Sequence, residues 1–153
     1  MTTKTFLHIG CGTNDKASTT RGFNQRLWKE IRVDINPKVS PDVVADMLDM
    51  SMIDDSSIDA VFSSHNIEHL FPYQVNLALK EFYRVLNSQG FLVLTCPNIK
   101  PLGKYLSEDK LLETLYESSS GPVTPIDILY GFRPSLAIGN HFMAHHCGFT
   151  KSI

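Results

Sequence analysis

Two glycines lie one residue apart in the segment FLHIGCGTN, directly after a short apolar run. Asp34 closes the next apolar run at a distance of about 20 residues, the spacing found in nucleotide-binding β-α-β units. A carboxylate in this position can accept hydrogen bonds from the two ribose hydroxyls of an adenosine. The glycine pair Gly10 and Gly12, together with Asp34, therefore predicts a cofactor that contains adenosine.

The third glycine of the dinucleotide fingerprint G-x-G-x-x-G is absent, and Asp15 stands in its place. A carboxylate there would repel the pyrophosphate of a dinucleotide. S-adenosylmethionine has no phosphate and carries cationic sulfonium and ammonium groups, so it tolerates this aspartate. We therefore expect the loop to hold the methionyl arm of S-adenosylmethionine, and a nicotinamide-dependent oxidoreductase is the less favoured alternative.

The segment HNIEH, residues 65 to 69, matches the H-x-x-E-H pattern of inverted zinc metallopeptidases. On a helix the two histidines would share a face, and the glutamate would activate a metal-bound water. This segment instead follows a predicted strand directly, and a zinc site needs a third ligand. A later cluster, HFMAHHC at residues 141 to 147, is one source of such a ligand. We expect no metal at His65 and His69.

The elements that position these residues follow from the apolar pattern. Strand-like segments occur at residues 6–9, 31–35, 43–45, 58–62 and 91–95. Most are continuous apolar runs, which suit a parallel sheet buried on both faces. Helical spacing predicts an amphipathic helix in residues 72–90, with weaker helical signals at 23–31 and 111–116. Together they predict a doubly wound α/β sheet in the order three, two, one, four, five, with ligands at the carboxyl ends of the strands.

The chain resembles class I S-adenosylmethionine-dependent methyltransferases in four segments of the right order and spacing: FLHIGCGTN, VDINP, VVADMLDMSMIDDSSIDAVFSSHNIEHL and EFYRVLNSQGFLVLTCPN. The resemblance runs from about Phe6 to Asn98, and LHIGCG is closest to predicted bacterial methyltransferases of uncharacterised substrate. It implies a Rossmann-like parallel sheet, S-adenosyl-L-methionine as cofactor, and methyl transfer as the activity.

The resemblance also implies which residues bind the cofactor. They are Gly10, Cys11, Gly12, Asp34, Asp46, Met47, Ser64 and His65. The glycine loop would line the methionine arm, and Asp34 would bind the ribose. Asp46 and its neighbour would border the adenine, and the pair that begins at Ser64 would lie near the methyl group. One departure is His8, where many members carry an acid two residues before the first glycine.

Acid–base chemistry is assigned to His69, because an imidazole titrates near neutrality and the resemblance places this position on the substrate side of the cleft. We expect His69 to be the catalytic base where the methyl acceptor must lose a proton. A histidine packed on a helix is the alternative. Arg84, in the segment YRVL, is expected to pair with a carboxylate of a neighbouring element.

Composition limits the partners. The 153 residues suit a single domain, with a core over about 5–98 and a substrate-side segment over about 99–153. The net charge of −2 and the scattered basic residues favour small-molecule or protein partners rather than nucleic acid or membrane. The resemblance adds glycans and lipids to the expected substrates, because sugars, lipids, small metabolites and proteins are all methylated on this fold. Three widely separated cysteines and the lack of an apolar leader predict a reduced, cytoplasmic protein.

The related sheets have seven strands, whereas this sequence ends at GFTKSI. We therefore expect the last helix and the last two strands to be missing. The fifth strand would then be an open edge, and we expect the chain either to form a homo-oligomer through this edge or to be marginally stable and weakly active. A non-catalytic domain that binds the cofactor or a partner is the alternative function.

Overall fold

The computed structural model describes residues 3–151 and contains a five-stranded parallel sheet. Its strands are β1 (Lys4–Ile9), β2 (Trp28–Asp34), β3 (Val43–Val44), β4 (Ile58–Ser64) and β5 (Leu86–Thr95). The order across the sheet is β3-β2-β1-β4-β5, which confirms the predicted order. The central strand β1 pairs with β2 on one side, where Lys4 lies opposite Trp28, and with β4 on the other, where Phe6 lies opposite Ala60.

The chain divides into two compact units. The first holds the sheet and comprises residues up to Asn66 together with Tyr73–Thr95. The second comprises Ile67–Pro72 and the residues from Cys96 onward. The prediction of a single domain over the whole chain stays a prediction.

The predicted amphipathic helix is confirmed as α1 (Pro72–Val85), which connects β4 and β5. It buries Ala78, Phe82 and Val85 on one face. The helix ends five residues before the predicted end at Gly90, because Leu86 already pairs with Ile58 as the first residue of β5.

The helix predicted at residues 23–31 is wrong. A 3-10 turn at Lys16–Ser18 and further turns connect β1 to β2, and Trp28 already belongs to the strand. Its apolar side chains are buried in another way: Phe23 stacks on Phe6, with ring centroids 4.5 Å apart, and Trp28 packs edge-on against both rings. Tertiary packing of these aromatic rings has overridden the helical spacing.

The second unit consists of short elements. They are the 3-10 turn Ile67–His69, α2 (Leu102–Ser107), β6 (Tyr116–Ser118), β7 (Gly121–Val123), α3 (Pro125–Tyr130), α4 (Arg133–Ala137) and the 3-10 turn His141–Met143. The helix predicted at residues 111–116 is wrong, because Leu115 donates to the Val123 carbonyl and β6 pairs with β7 as a hairpin. Gly121, with φ of 115°, provides the backbone conformation that this tight turn needs.

The hairpin leads into α3 through a buried polar cap. Asp127 accepts hydrogen bonds from the backbone and the hydroxyl of Thr124, and its other oxygen accepts one from Nε of Arg133 at 2.8 Å. Burial raises the pKa of Asp127, but these hydrogen bonds outweigh it and lower the pKa to about 2. This cap fixes the start of α3 and joins it to α4.

The strand β5 is an edge of the sheet, as predicted. None of its apolar side chains is fully buried, and Phe91 is exposed. Self-association through this edge stays a prediction. Among residues 3–151, no helix is long and apolar enough to cross a membrane.

Candidate functional site

The glycine loop begins where β1 ends and has a backbone that only glycine adopts readily. Gly10 and Gly12 have φ of +61° and +54°, in the left-handed region. The Gly10 amide donates to the Val33 carbonyl at 2.8 Å, which holds the loop against β2. A Cβ atom built on Gly12 meets nothing within 4 Å, so the backbone here is open to a ligand.

Asp34 ends β2 and is tied to this loop. Its Oδ2 accepts from the Gly12 amide at 2.8 Å, and its Oδ1 accepts from the Asn36 amide at 2.9 Å. An ionised carboxylate can accept about four hydrogen bonds, so two acceptor sites remain for ribose hydroxyls. The structure therefore brings together the two features from which the adenosine prediction was made.

Asn66 is a site residue that the sequence reasoning missed. Its buried side-chain Nδ2 lies 2.9 Å from the Ile9 carbonyl, 3.1 Å from the Ser64 carbonyl and 3.2 Å from the Ser63 hydroxyl. The amide thus links the carboxyl ends of β1 and β4. The signal in the sequence was a single amide two residues after the end of β4, within the zinc-like pattern HNIEH.

Arg32 is a second missed residue. Its guanidinium donates to four carbonyls, those of Gly12 at 2.7 Å, Asn14 at 2.9 Å, Ser40 at 2.9 Å and Val39 at 3.3 Å. It therefore fixes the outer side of the glycine loop and the turn before β3. The signal in the sequence was a cation between Ile31 and Val33, two apolar residues of β2.

Cys11, between the two glycines, is almost fully buried. Burial raises the pKa of its thiol, and the nearby Arg32 cation opposes this rise only in part. The thiol is therefore protonated at neutral pH, and Sγ lies 3.4 Å from the Gly12 carbonyl. Its physical role is packing beneath the loop rather than nucleophilic chemistry.

The other predicted cofactor residues lie at the carboxyl ends of the neighbouring strands. Asp46 accepts from the Leu48 amide at 2.9 Å, which closes a turn soon after β3, and Met47 within that turn is half-buried. Ser64 shares a hydrogen bond of 2.7 Å with the Thr95 hydroxyl. His65 has φ of +57°, and its amide donates to the Thr95 carbonyl. Because the strands are parallel, all of these residues lie at the same end of the sheet, where the strands have their carboxyl termini.

His8 is buried at the position where an acid is common in related enzymes. Its Nδ1 lies 2.7 Å from Oε1 of Glu30, and the other oxygen of Glu30 accepts from the Lys16 amide at 2.9 Å. A carboxylate is therefore present beside this position, but it comes from β2. It supports the turn that follows the glycine loop.

His69 belongs to the second unit, whereas the predicted cofactor residues belong to the first. Its Nδ1 lies 3.0 Å from the Ala144 carbonyl, and its ring centroid lies 4.9 Å from that of His145. Candidate ligand atoms of Glu68, His69 and His145 all lie within 4.8 Å of one another. The expectation of no metal assumed that a third ligand was lacking. Within the described part of the chain, His145 is such a third candidate ligand beside Glu68 and His69. His65 is not part of this group.

Arg84 pairs with carboxylates, as predicted. Nε and Nη2 form a two-point contact with the Glu81 carboxylate, each at 2.8 Å, and Nη1 donates to Asp55. The same guanidinium donates to the carbonyls of Met50 and Ile53. Arg84 therefore anchors the loop before β4 to α1 and has a structural role.

Comparison with known proteins gives one family match. A family model described as a methyltransferase domain matches residues 7–94. No curated protein sequence matches the chain.

Several solved structures share the fold. A SAM-dependent methyltransferase from Archaeoglobus fulgidus is 19% identical with a TM-score of 0.51, and the match covers 92% of this chain and 78% of that one. The PH0226 protein from Pyrococcus horikoshii OT3 is 21% identical with a TM-score of 0.52, covering 78% and 59%. The trans-methyltransferase CalH, solved with SAH, is 20% identical with a TM-score of 0.50, covering 60% and 31%. This chain thus spans less than two thirds of the length of the latter two.

Proposed function

This chain belongs to the methyltransferase domain family, and we propose that it transfers a methyl group from S-adenosylmethionine to an acceptor by in-line displacement. The hydrogen bond from the Gly12 amide to the Asp34 carboxylate is the observation that carries this proposal. It joins the loop that would hold the methionyl arm to the carboxylate that would bind the ribose. One cofactor would thereby contact both residues.

The loop fits S-adenosylmethionine better than a dinucleotide. A pyrophosphate is bound by the N-terminus of an α-helix that follows the glycine loop. In the described residues between Gly10 and β2, the only helical element is the 3-10 turn Lys16–Ser18. Asp15 caps this turn by accepting from the Ala17 amide at 2.9 Å. A carboxylate cap suits a cationic cofactor and disfavours a pyrophosphate.

Methyl transfer from S-adenosylmethionine requires little side-chain chemistry, because the sulfonium is already an activated donor. The protein has to align the acceptor with the methyl group and exclude water. In this proposal the glycine loop and Asp34 fix the donor, while Asp46 and Met47 border the adenine. Ser64 and His65, at the end of β4, lie next to the transferred group.

A base is needed when the acceptor is a hydroxyl or an ammonium, and His69 is the residue assigned to that step. The Ala144 carbonyl can only accept, so Nδ1 of His69 carries the proton of that hydrogen bond. In the neutral ring the lone pair is therefore on Nε2. This atom is the one that can take a proton or bind a cation, and it cannot do both at once.

The acceptor classes that we propose, by analogy with the fold, are a small molecule, a glycan or a lipid, and a non-catalytic domain that binds the cofactor or a partner is the competing function. Calorimetric titration with S-adenosylhomocysteine tests the cofactor, with NAD as the matched control ligand. We expect the chain to bind S-adenosylhomocysteine and not NAD. Binding of NAD alone would favour an oxidoreductase. Incubation with radiolabelled S-adenosylmethionine and acceptor pools of each class then tests catalysis. Tight binding without transfer to any pool would favour the non-catalytic domain.

A further inference from the structure

Glu68, His69 and His145 bring one carboxylate and two imidazoles together within the second unit, and we propose that they bind a divalent transition-metal ion of the zinc type. Their ligand atoms lie within 4.8 Å of one another. Two imidazoles and one carboxylate form a recognised zinc donor set, in which a fourth position stays open. This proposal does not depend on methyltransferase activity. A bound ion would occupy Nε2 of His69, so this residue would act as the base proposed above only in the ion-free protein.

Both imidazoles are in the tautomer that binds metal through Nε2. Nδ1 of His69 lies 3.0 Å from the Ala144 carbonyl, and Nδ1 of His145 lies 2.8 Å from the Ile128 carbonyl. Since a carbonyl can only accept, each Nδ1 is the donor. Metal-binding histidines commonly donate their other ring nitrogen to a backbone carbonyl, which fixes the ring and raises the basicity of the ligand.

The two rings also have the separation that one ion requires. Zinc–nitrogen distances of about 2.0–2.1 Å in a tetrahedral site place two Nε2-bound imidazole centroids about 5 Å apart. The centroids of His69 and His145 are 4.9 Å apart, with an angle of 63° between the planes. The ligand atoms themselves would move to about 3.3 Å from one another, which needs side-chain shifts of roughly 1 Å.

The carboxylate of Glu68 favours a cation at this position. The residue is 2% exposed, and a buried carboxylate is costly unless positive charge lies close to it. Imidazole ligands favour zinc and similar ions over magnesium and calcium, which prefer oxygen ligands.

The backbone holds the two ligand-bearing segments in place before any ion binds. The amides of His146 and Cys147 donate to the Glu68 carbonyl at 2.8 and 3.2 Å, and the His145 amide donates to the Tyr130 carbonyl at 3.1 Å. The 3-10 turn Ile67–His69 and the segment around residue 145 are thus connected by main-chain hydrogen bonds. An ion would add a second connection between them.

The test measures Zn²⁺ binding directly. The full chain is stripped with a chelator, dialysed and titrated with Zn²⁺ against a chromophoric competitor, and Co²⁺ is added in parallel to record its visible bands. We expect one equivalent of Zn²⁺, with Glu68→Gln, His69→Gln and His145→Gln each weakening binding by at least about 100-fold. His146→Gln is the matched control, because this adjacent histidine is exposed and stacks on Phe71.

Wild-type protein that binds Zn²⁺ no more tightly than His145→Gln would overturn the proposal and leave the cluster as a hydrogen-bonded network. Equal loss in the His146→Gln control would also overturn it, since binding would then depend on scattered surface histidines. The near-isosteric Glu68→Gln variant keeps the test valid if a histidine variant is unfolded. S-adenosylhomocysteine binding by the same samples is recorded separately, so a failure of the metal site is distinguishable from a failure of the methyltransferase assignment.

Discussion

The side-chain amide of Asn66 occupies the space that a side chain on Gly10 would need. A Cβ atom built on Gly10 would lie 2.0 Å from Oδ1 of Asn66 and 2.6 Å from Nδ2. The glycine is therefore required for two reasons: its left-handed φ and the close approach of a buried amide. The amide in turn links the ends of β1 and β4, so the shape of the cofactor loop depends on both residues.

Gly10→Ala is expected to destabilise the protein by more than about 3 kcal/mol, since it adds a steric clash to an unfavourable φ. Gly12→Ala is the matched control, because its φ is similar but its built Cβ meets nothing within 4 Å. We expect the control to cost only about 1–2 kcal/mol. Urea unfolding measures both. Adding Asn66→Ala to Gly10→Ala should relieve the clash, and strictly additive effects in this double-mutant cycle would contradict the explanation.

Asp34→Asn is expected to weaken S-adenosylhomocysteine binding by roughly 10- to 100-fold, as charge-assisted hydrogen bonds to the ribose are worth about 1.5–3 kcal/mol each. The measurement is calorimetric titration. Asp42→Asn is the control, because its carboxylate also accepts a backbone hydrogen bond, from the Arg32 amide, but is not assigned to the cofactor. Equal affinities of the two variants would remove Asp34 from the cofactor site.

The sequence predicted the sheet well because most of its strands contain short apolar runs, such as Ala60, Val61 and Phe62 in β4, which are buried in the structure. It failed at residues 23–31, where Phe23, Leu27 and Ile31 have helical spacing. In the structure the rings of Phe23 and Trp28 pack instead against Phe6. Such contacts depend on which strands become neighbours, and a local pattern does not contain that information. For the same reason Arg32 and Asn66 were missed, since their carbonyl partners are distant along the chain.

Arg84→Lys is expected to cost about 2 kcal/mol of unfolding free energy, since an ammonium cannot reproduce the two-point contact with Glu81 and the bonds to two carbonyls. Arg26→Lys, at an exposed position, is the control and should change stability little.

The hydrogen bond from Arg84, opposed in part by burial, lowers the pKa of Glu81. Stability from this pair is therefore present above the ordinary pKa of a glutamate and is lost at lower pH. If the loss of unfolding free energy caused by Arg84→Lys stays the same as the pH is lowered, the ion pair with Glu81 is not its cause.

Asp127→Asn is expected to destabilise the second unit by about 2 kcal/mol at neutral pH. Because the folded-state pKa of about 2 lies below the unfolded value, the carboxylate stabilises the fold fully above about pH 5. This contribution decreases as the pH falls toward 2. Urea unfolding of wild type and variant across this range should give curves that converge in acid. A difference that is independent of pH would show that packing, not charge, is responsible.

The place of β1 in the sheet has a consequence for the timing of synthesis. It is made before the other four strands of the sheet, yet it lies in the centre, and its second neighbour follows some 54 residues later, where Phe6 pairs with Ala60. At 5–20 residues per second, the ribosome would leave one edge of β1 unpaired for about 3 to 11 seconds. Phe6, Leu7 and Ile9, all buried in the finished protein, would be accessible during that interval. Nascent chains that stop before β4 should therefore bind chaperones or aggregate, and release should coincide with the emergence of Ser64.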